Sequence, residues 1–273
     1  MGTRSGVRLR PTMERDRLYH LVLDLRKQGL SYNQIIKQIE AEHGAKLCKS
    51  QLSDWISGGR RPFGYVRIFE ATPRRELAYV VGVTLGDGST SSNRNHNHKI
   101  KLRVIDEEFA EEFARCLGVL LRRNAPLVKW REKTRSWYTE VSSLLLQKFL
   151  RQDLRQLIPT VSHCDDCKAG FLRGFFDSEG SMYARALTAS NENLNLMEFV
   201  CELLQSLNIQ TTGIHLATKG GRTVMIKGKF YRQNEDLFYL RVRSASLARF
   251  QTTVGFSVLR KSATLSQATN KKD

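Results

Sequence analysis

The strongest constraint on this chain is a ten-residue stretch that occurs twice. Tyr79 to Gly88 reads YVVGVTLGDG and Phe171 to Gly180 reads FLRGFFDSEG, so that Gly82, Asp87 and Gly88 recur 92 positions later as Gly174, Glu179 and Gly180. Each copy predicts an apolar helix with small residues one turn apart, Gly82 and Gly86 in the first and Gly170, Gly174 and Ser178 in the second, stopping at a glycine just after an acid. Glycine inside a helix costs about 1 kcal/mol relative to alanine. A face of such residues therefore needs a packing reason, and close approach of two helix backbones supplies one. A single buried helix ending at a glycine cap is ordinary, but chance does not repeat the small face, the acid and the stop together. Packing the copies against each other brings Asp87 and Glu179 to the helices' C-terminal ends, where the helix dipole is negative and the carboxylates repel. That arrangement implies a bound cation, and carboxylate oxygens near phosphate suit Mg²⁺, with Mn²⁺ as a substitute.

The two motifs resemble the signature helices of LAGLIDADG (dodecapeptide) homing endonucleases of the single-chain, two-repeat type, over about residues 76 to 262. The resemblance implies an α+β fold: two pseudo-symmetric αββαββα repeats whose saddle-shaped sheets lie along DNA. It also implies metal-dependent hydrolysis of one phosphodiester in each strand. By position Asp87 and Glu179 match the family's two essential metal-binding acids, and the preceding residues, Gly86 and Ser178, are counted with them in the metal site. Asp177 falls on the other acidic position of the motif, which is not a metal ligand, and Leu85 fills that position in the first copy. Gly82, Gly86, Gly174 and Ser178 are the expected helix interface. The family also uses a basic residue near each scissile phosphate, for which Lys101, on the first strand, and Lys261, in the C-terminal tail, are the candidates.

Charge agrees with a polyanionic partner. The 273 residues carry 44 Lys and Arg against 27 Asp and Glu, a net charge of +17 and a pI near 9.9; nucleic acid explains such an excess better than solubility does. No run of about 18 apolar residues exists, so no membrane span is expected; the expectation is a prokaryotic cytoplasmic protein, associated with the nucleoid when bound, with an organellar one as the alternative. Five scattered cysteines do not form a secreted disulfide framework.

Along the chain, residues 1–13, with Arg4, Arg8 and Arg10, read as a disordered basic arm. Residues 14–64 read as helical: Leu18, Leu21, Val22 and Leu25 form a stripe stopped by Gly29, Ser31 caps a second helix with Ile35, Ile36 and Ile39, and Gly44 breaks it. Lys49 or Ser50 opens a third with Leu52, Trp55 and Ile56. This segment resembles a helix-turn-helix in which Lys49, Ser50 and Gln51 face base edges; a helical cap on the nuclease is the alternative. Arg60 and Arg61 belong to a basic linker, and a boundary is expected near residue 70, followed by repeats over 70–160 and 165–265.

Within the repeats, basic residues alternate with apolar ones. Lys99, Lys101 and Arg103 alternate with Ile100, Leu102 and Val104; Lys129 and Arg131 with Val128 and Trp130; and Arg241 and Arg243 with Leu240 and Val242. Strands with one basic face suit a sheet in a DNA groove, and Arg185 joins this set. Helices are expected from Asp106 to Arg123 and from Asn191 to Leu207, capped by Asp106 and Asn191. Thr218 to Glu235 reads as a long hairpin. His163-Cys164-Asp165-Asp166-Cys167 contains one C-x-x-C without a second pair, so it reads as a loop with Asp165 or Asp166 capping the next helix rather than as a zinc site. Asn95-His96-Asn97-His98 reads as a polar loop.

These readings converge on a monomeric, site-specific, metal-dependent double-strand DNA endonuclease. The alternatives on the same fold are a non-cleaving DNA-binding regulator and a maturase whose partner is its own intron RNA.

Overall fold

The computed structural model describes residues 12–58, 69–92, 98–226, 228–232 and 234–270. The basic arm, Arg60, Arg61 and the Asn95-His96-Asn97 string lie outside the described residues. The chain divides between Arg67 and Ile68 into two compact units.

The first unit holds three helices, α1 (Thr12–Lys27), α2 (Tyr32–His43) and α3 (Lys49–Ile56). Ser31 and Gln34 form a reciprocal capping box that starts α2, and Gly44 ends it with φ of 58°. The apolar faces of all three meet in one small core of Leu18, Val22, Leu25, Ile35, Ile39, Leu52 and Trp55. Lys49 and Ser50 stand exposed at the start of α3, and Gln51 is half-buried.

The second unit runs α4 (Arg75–Leu85), β1 (Ser89–Ser92), β2 (His98–Val104), α5 (Glu107–Leu120), β3 (Lys129–Arg131), β4 (Ser136–Ser142), α6 (Leu144–Leu150) and α7 (Leu154–Val161). It continues with α8 (Asp165–Glu179), β5 (Gly180–Tyr183), β6 (Ala186–Asn191), α9 (Leu194–Ser206), β7 (Thr211–Thr218), β8 (Thr223–Ile226), β9 (Lys229–Arg232), β10 (Leu237–Val242), α10 (Leu247–Thr253) and α11 (Leu259–Asn270). The αββαββα plan thus occurs twice. Both four-stranded sheets are antiparallel with equivalent orders, β1-β2-β4-β3 and β5-β6-β10-β7. The second sheet differs by an inserted hairpin, β8–β9, within the expected 218–235 excursion.

Each sheet buries alternate residues against helices. Ile100, Leu102 and Val104 of β2 are buried while Lys101 is half-buried and Arg103 exposed, as strand alternation requires. The apolar faces of α5 and α9 cover the sheets, and the buried residues of both repeats form one continuous core across α4 and α8.

Several local expectations change. Asp106 occupies the α5 N-cap position but makes no capping bond, because its carboxylate instead accepts two hydrogen bonds from the Arg260 guanidinium at 2.7 and 2.8 Å. Asn193, not Asn191, caps α9, accepting from the Leu196 amide at 3.1 Å; Asn191 belongs to β6. Neither Asp165 nor Asp166 caps α8: Cys164 holds that position, Asp165 pairs with Lys168 at 2.9 Å, and Asp166 lies 3.5 Å from Arg75. Trp130 does not enter the core; the short edge strand β3 is exposed throughout, and the indole packs edge-on to Trp137 while donating to Glu132.

Candidate active site

The site is built by the seam between α4 and α8. A Cβ on Gly82 would overlap the Phe171 carbonyl oxygen and lie 2.9 Å from the Phe175 nitrogen; one on Gly174 would overlap the Tyr79 carbonyl oxygen and lie 3.0 Å from the Val83 nitrogen. One on Gly170 would meet the Arg75 carbonyl at 2.5 Å, and one on Gly86 the Ser178 Cβ at 2.5 Å. Arg75 faces Gly170, Tyr79 faces Gly174 and Gly86 faces Ser178, so both numberings rise together and the helices run parallel. Their C-termini therefore lie at the same end.

The acids emerge there by slightly different routes. Copy one stops early: α4 ends at Leu85, Gly86 follows as the C-cap, and the Gly88 amide returns to the Val83 carbonyl at 2.8 Å, placing Asp87 within the turn. In copy two the helix continues through Glu179, and Gly180 both ends α8 and begins β5. The Asn191 amide donates to Glu179 Oε1 at 3.0 Å, fixing that carboxylate.

Electrostatics mark the pair as unbalanced. Burial and the neighbouring Asp87 charge push Glu179 up to about 7, against the weaker opposing pull of Asn191 and Lys261. Partial burial also raises Asp87, although the residue as a whole is exposed, and Lys261 only partly offsets it. Both shifts point upward, so the positive charge that the protein supplies does not offset burial and mutual repulsion at the pair.

Asp177 has a structural task. It is 2% exposed and accepts from the Tyr79 hydroxyl at 2.9 Å, the Ser257 amide at 3.0 Å and the Ser257 hydroxyl at 2.5 Å, tying α8 to α4 and to the approach of α11. Leu85 makes the first repeat different. Lys261, 6% exposed, donates to the Phe176 and Asp177 carbonyls at 3.1 and 2.7 Å, closing the last turn of α8. Burial lowers its pKa, against the pull of Asp177 and Asp87.

Of the basic strand residues, Lys101 shares a cleft of about 290 Å³ with Asp87, Ser89, Arg103 and Tyr138. Lys101 sits opposite Ser89 on β1 and Glu140 on β4, and Arg103 opposite Tyr138, so these side chains share one sheet face. Arg131 lies over the Tyr138 ring at 4.0 Å. Lys99 is paired with Glu140 at 2.8 Å, and Lys129 is exposed opposite Tyr138. In the second sheet the residue at the register of Lys101 is Thr188, opposite Ser181 on β5 and Arg241 on β10. Arg241 is exposed; Arg243 falls just beyond β10 and donates to the Thr211 carbonyl at 3.0 Å; Arg185 lies in the β5–β6 turn. Sequence reasoning missed Asn191 as a partner of Glu179. Its only signal was a polar residue at the end of a strand, which fits a helix cap equally well.

Residues 166–255 match the model of the LAGLIDADG-like domain. The chain is 35% identical over 248 residues to the uncharacterized protein MJ0398 of Methanocaldococcus jannaschii, covering 89% of this chain and 90% of that protein. Among solved structures it is similar to the homing endonuclease I-DmoI in complex with DNA and Ca, with a TM-score of 0.52 and 16% identity over 71% of this chain and 97% of that one. I-DmoI in complex with DNA and Mn gives a TM-score of 0.50 and 18% identity over 66% of this chain and 96% of that one. At such identities the structural likeness is one of fold, and it concerns the doubled plan described above. The paired helices with their acids at one end are thus the shared core of a known architecture: the chain has the LAGLIDADG fold, and its residues 166–255 are a LAGLIDADG-like domain.

Proposed function

We propose that this protein is a site-specific endonuclease that cuts both strands of a long, non-palindromic DNA target at the Asp87–Glu179 pair. The observation that carries the reading is the convergence of two carboxylates at the C-termini of parallel helices packed backbone to backbone, where fold stability alone would avoid them. The donor set fits a hard divalent cation such as Mg²⁺ or Mn²⁺. It is all oxygen, its charge is not balanced by the protein, and Gly86 and Ser178 belong to the last turns, whose carbonyls lack intrahelical donors. When bound there, the cation supplies the Lewis acidity that phosphodiester hydrolysis needs.

The chain's own residues set the geometry. Asn191 holds Glu179 in one orientation, and Lys261 holds the last turn of α8 while contributing positive charge beneath the acids. Lys101 and Arg103 stand in the cleft beside Asp87, where a phosphate oxygen would find an ammonium and a guanidinium. Lys129, Arg131, Arg185, Arg241 and Arg243 extend the basic surface for phosphate and base contacts, and Lys49, Ser50 and Gln51 at the start of α3 are the base-facing candidates of the first unit. Incubating the purified protein with a library of duplex sites and Mg²⁺, then sequencing the cut ends, tests the proposal. Double-strand ends at one motif, lost in Asp87→Asn and Glu179→Gln, support it; specific binding without cutting by the wild type overturns it in favour of a regulator.

A further inference from the structure

The opposite end of α8 carries a different chemistry. His163, Cys164 and Cys167 place one ring nitrogen and two sulfurs all within 4.8 Å of one another, with Cys164 Sγ and Cys167 Sγ 3.4 Å apart. Among the described residues this is the one group of three His, Cys, Asp or Glu side chains that converge so closely. The sequence pattern alone, a lone C-x-x-C, offers two ligands; the three-residue connection from α7 folds His163 back as a third. Cys167, 1% exposed, is anchored in the core by the first turn of α8, whereas His163 and Cys164 are exposed, so the cluster is fixed on one side and open to solvent on the other.

We propose that His163, Cys164 and Cys167 form a binding site for one soft or borderline divalent cation, of which Zn²⁺ is the type, with a fourth position open to water. Thiolate and imidazole donors select such ions, while the all-carboxylate end of the same helix selects hard ones. The N-terminus of α8 favours the thiolate form that ligation requires. The two ends are separated by 15 helical residues, about 22 Å. The chain would therefore sort its metals by position along α8. Occupation would pin the last residues of the connection, His163 and Cys164, to the first turn of α8.

The test is titration of the reduced, full-length protein with Co²⁺, followed by absorbance. One equivalent should produce sulfur-to-cobalt charge-transfer bands in the near ultraviolet and intense tetrahedral bands in the visible, both bleached by one equivalent of Zn²⁺. Cys164→Ser should abolish the charge-transfer signature or reduce it by half. His163→Ala should keep a sulfur signal and weaken binding at least about tenfold, on the scale of lost ligand support. Both residues are exposed, so these variants should keep the wild-type melting curve of the metal-free protein. Asp87→Asn should leave the cobalt spectrum unchanged, which separates this site from the proposed nuclease centre. Absence of charge-transfer bands in the reduced wild type, their persistence in Cys164→Ser at full strength, or an unaltered affinity in His163→Ala overturns the assignment.

Discussion

The seam between α4 and α8 allows a quantitative test by adding a single methyl group to each side. In Gly82→Ala the new carbon would overlap the Phe171 carbonyl and sit 2.9 Å from the Phe175 nitrogen; in Gly174→Ala it would overlap the Tyr79 carbonyl and sit 3.0 Å from the Val83 nitrogen. Backbone cannot rotate aside as a side chain can, so the helices must part by about 1 Å to restore contacts near 3.5 Å. The intrinsic gain of replacing glycine by alanine in a helix, about 1 kcal/mol, acts in the other direction. Overpacking of about 1 to 3 kcal/mol, with some contacts forfeited along the whole seam, should exceed it, giving a net loss of roughly 0 to 2 kcal/mol for either single change. At about 2 to 4 °C per kcal/mol for a unit of this size, the melting temperature should fall by up to about 8 °C. The decisive measurement is the double variant. One parting of the helices accommodates both methyl groups, so the double loss in denaturant titrations should be clearly smaller than the sum of the singles. Strict additivity, or two stabilised singles, would mean that the helices do not meet backbone to backbone.

Other consequences can be checked on the same protein. Asp87→Asn or Glu179→Gln should abolish cleavage of both strands and leave specific DNA binding within about tenfold, because phosphate and base contacts carry most affinity; gel shift and cleavage assays measure both. A carboxyl whose pKa is raised in the folded state contributes stability at low pH that is lost as pH rises; for Glu179 this spans 4.5 to about 7. Metal-free melting temperature should therefore fall over that window, Mg²⁺ should restore more at pH 8 than at pH 6, and Glu179→Gln should flatten the profile. With Lys101 beside Asp87 and Thr188 at the matching register, Lys101→Ala should slow one strand by about a hundredfold and accumulate nicked DNA; equal slowing of both strands on doubly labelled duplex refutes this role. Deleting residues 1–67 should leave the cut position unchanged, shorten the footprint at one end and make the salt dependence of binding shallower; superimposable footprints would identify the first unit as a structural cap.

What could be read from the residues is what depends on neighbours in sequence. The glycine faces of α4 and α8 were legible because a helix with nothing at i and i+4 needs another backbone there. The alternation in β2 and β10 was legible because a strand repeats every two residues. Asp106 and Asn191 show the limit. Both are good helix caps by type, yet one is claimed by Arg260 and the other by Glu179, partners 154 and 12 positions away, and no local pattern announces such competition. Lys261 was named only through the family resemblance of the tail, and its attachment to the Phe176 and Asp177 carbonyls follows from how α11 returns to α8. His163 likewise gained significance only when the turn before α8 folded it toward two cysteines. The offset ends of the copies, Leu85 against Glu179, arise from the Gly86 turn, which the aligned motifs conceal.

The shared seam also governs how the molecule is made. Neither α4 nor α8 can bury its glycine face alone, and the two lie about ninety residues apart in the chain. At synthesis rates of roughly 5 to 20 residues per second, the first repeat leaves the ribosome about 5 to 18 s before its partner is available. During that interval α4 presents its seam residues, Tyr79, Gly82 and Val83, with no matching surface. A nascent first repeat is therefore a substrate for chaperones and a hazard for intermolecular pairing through the same face. Slow synonymous codons placed within the first repeat should do little harm, whereas pauses between α7 and α8 should lower the yield of active protein.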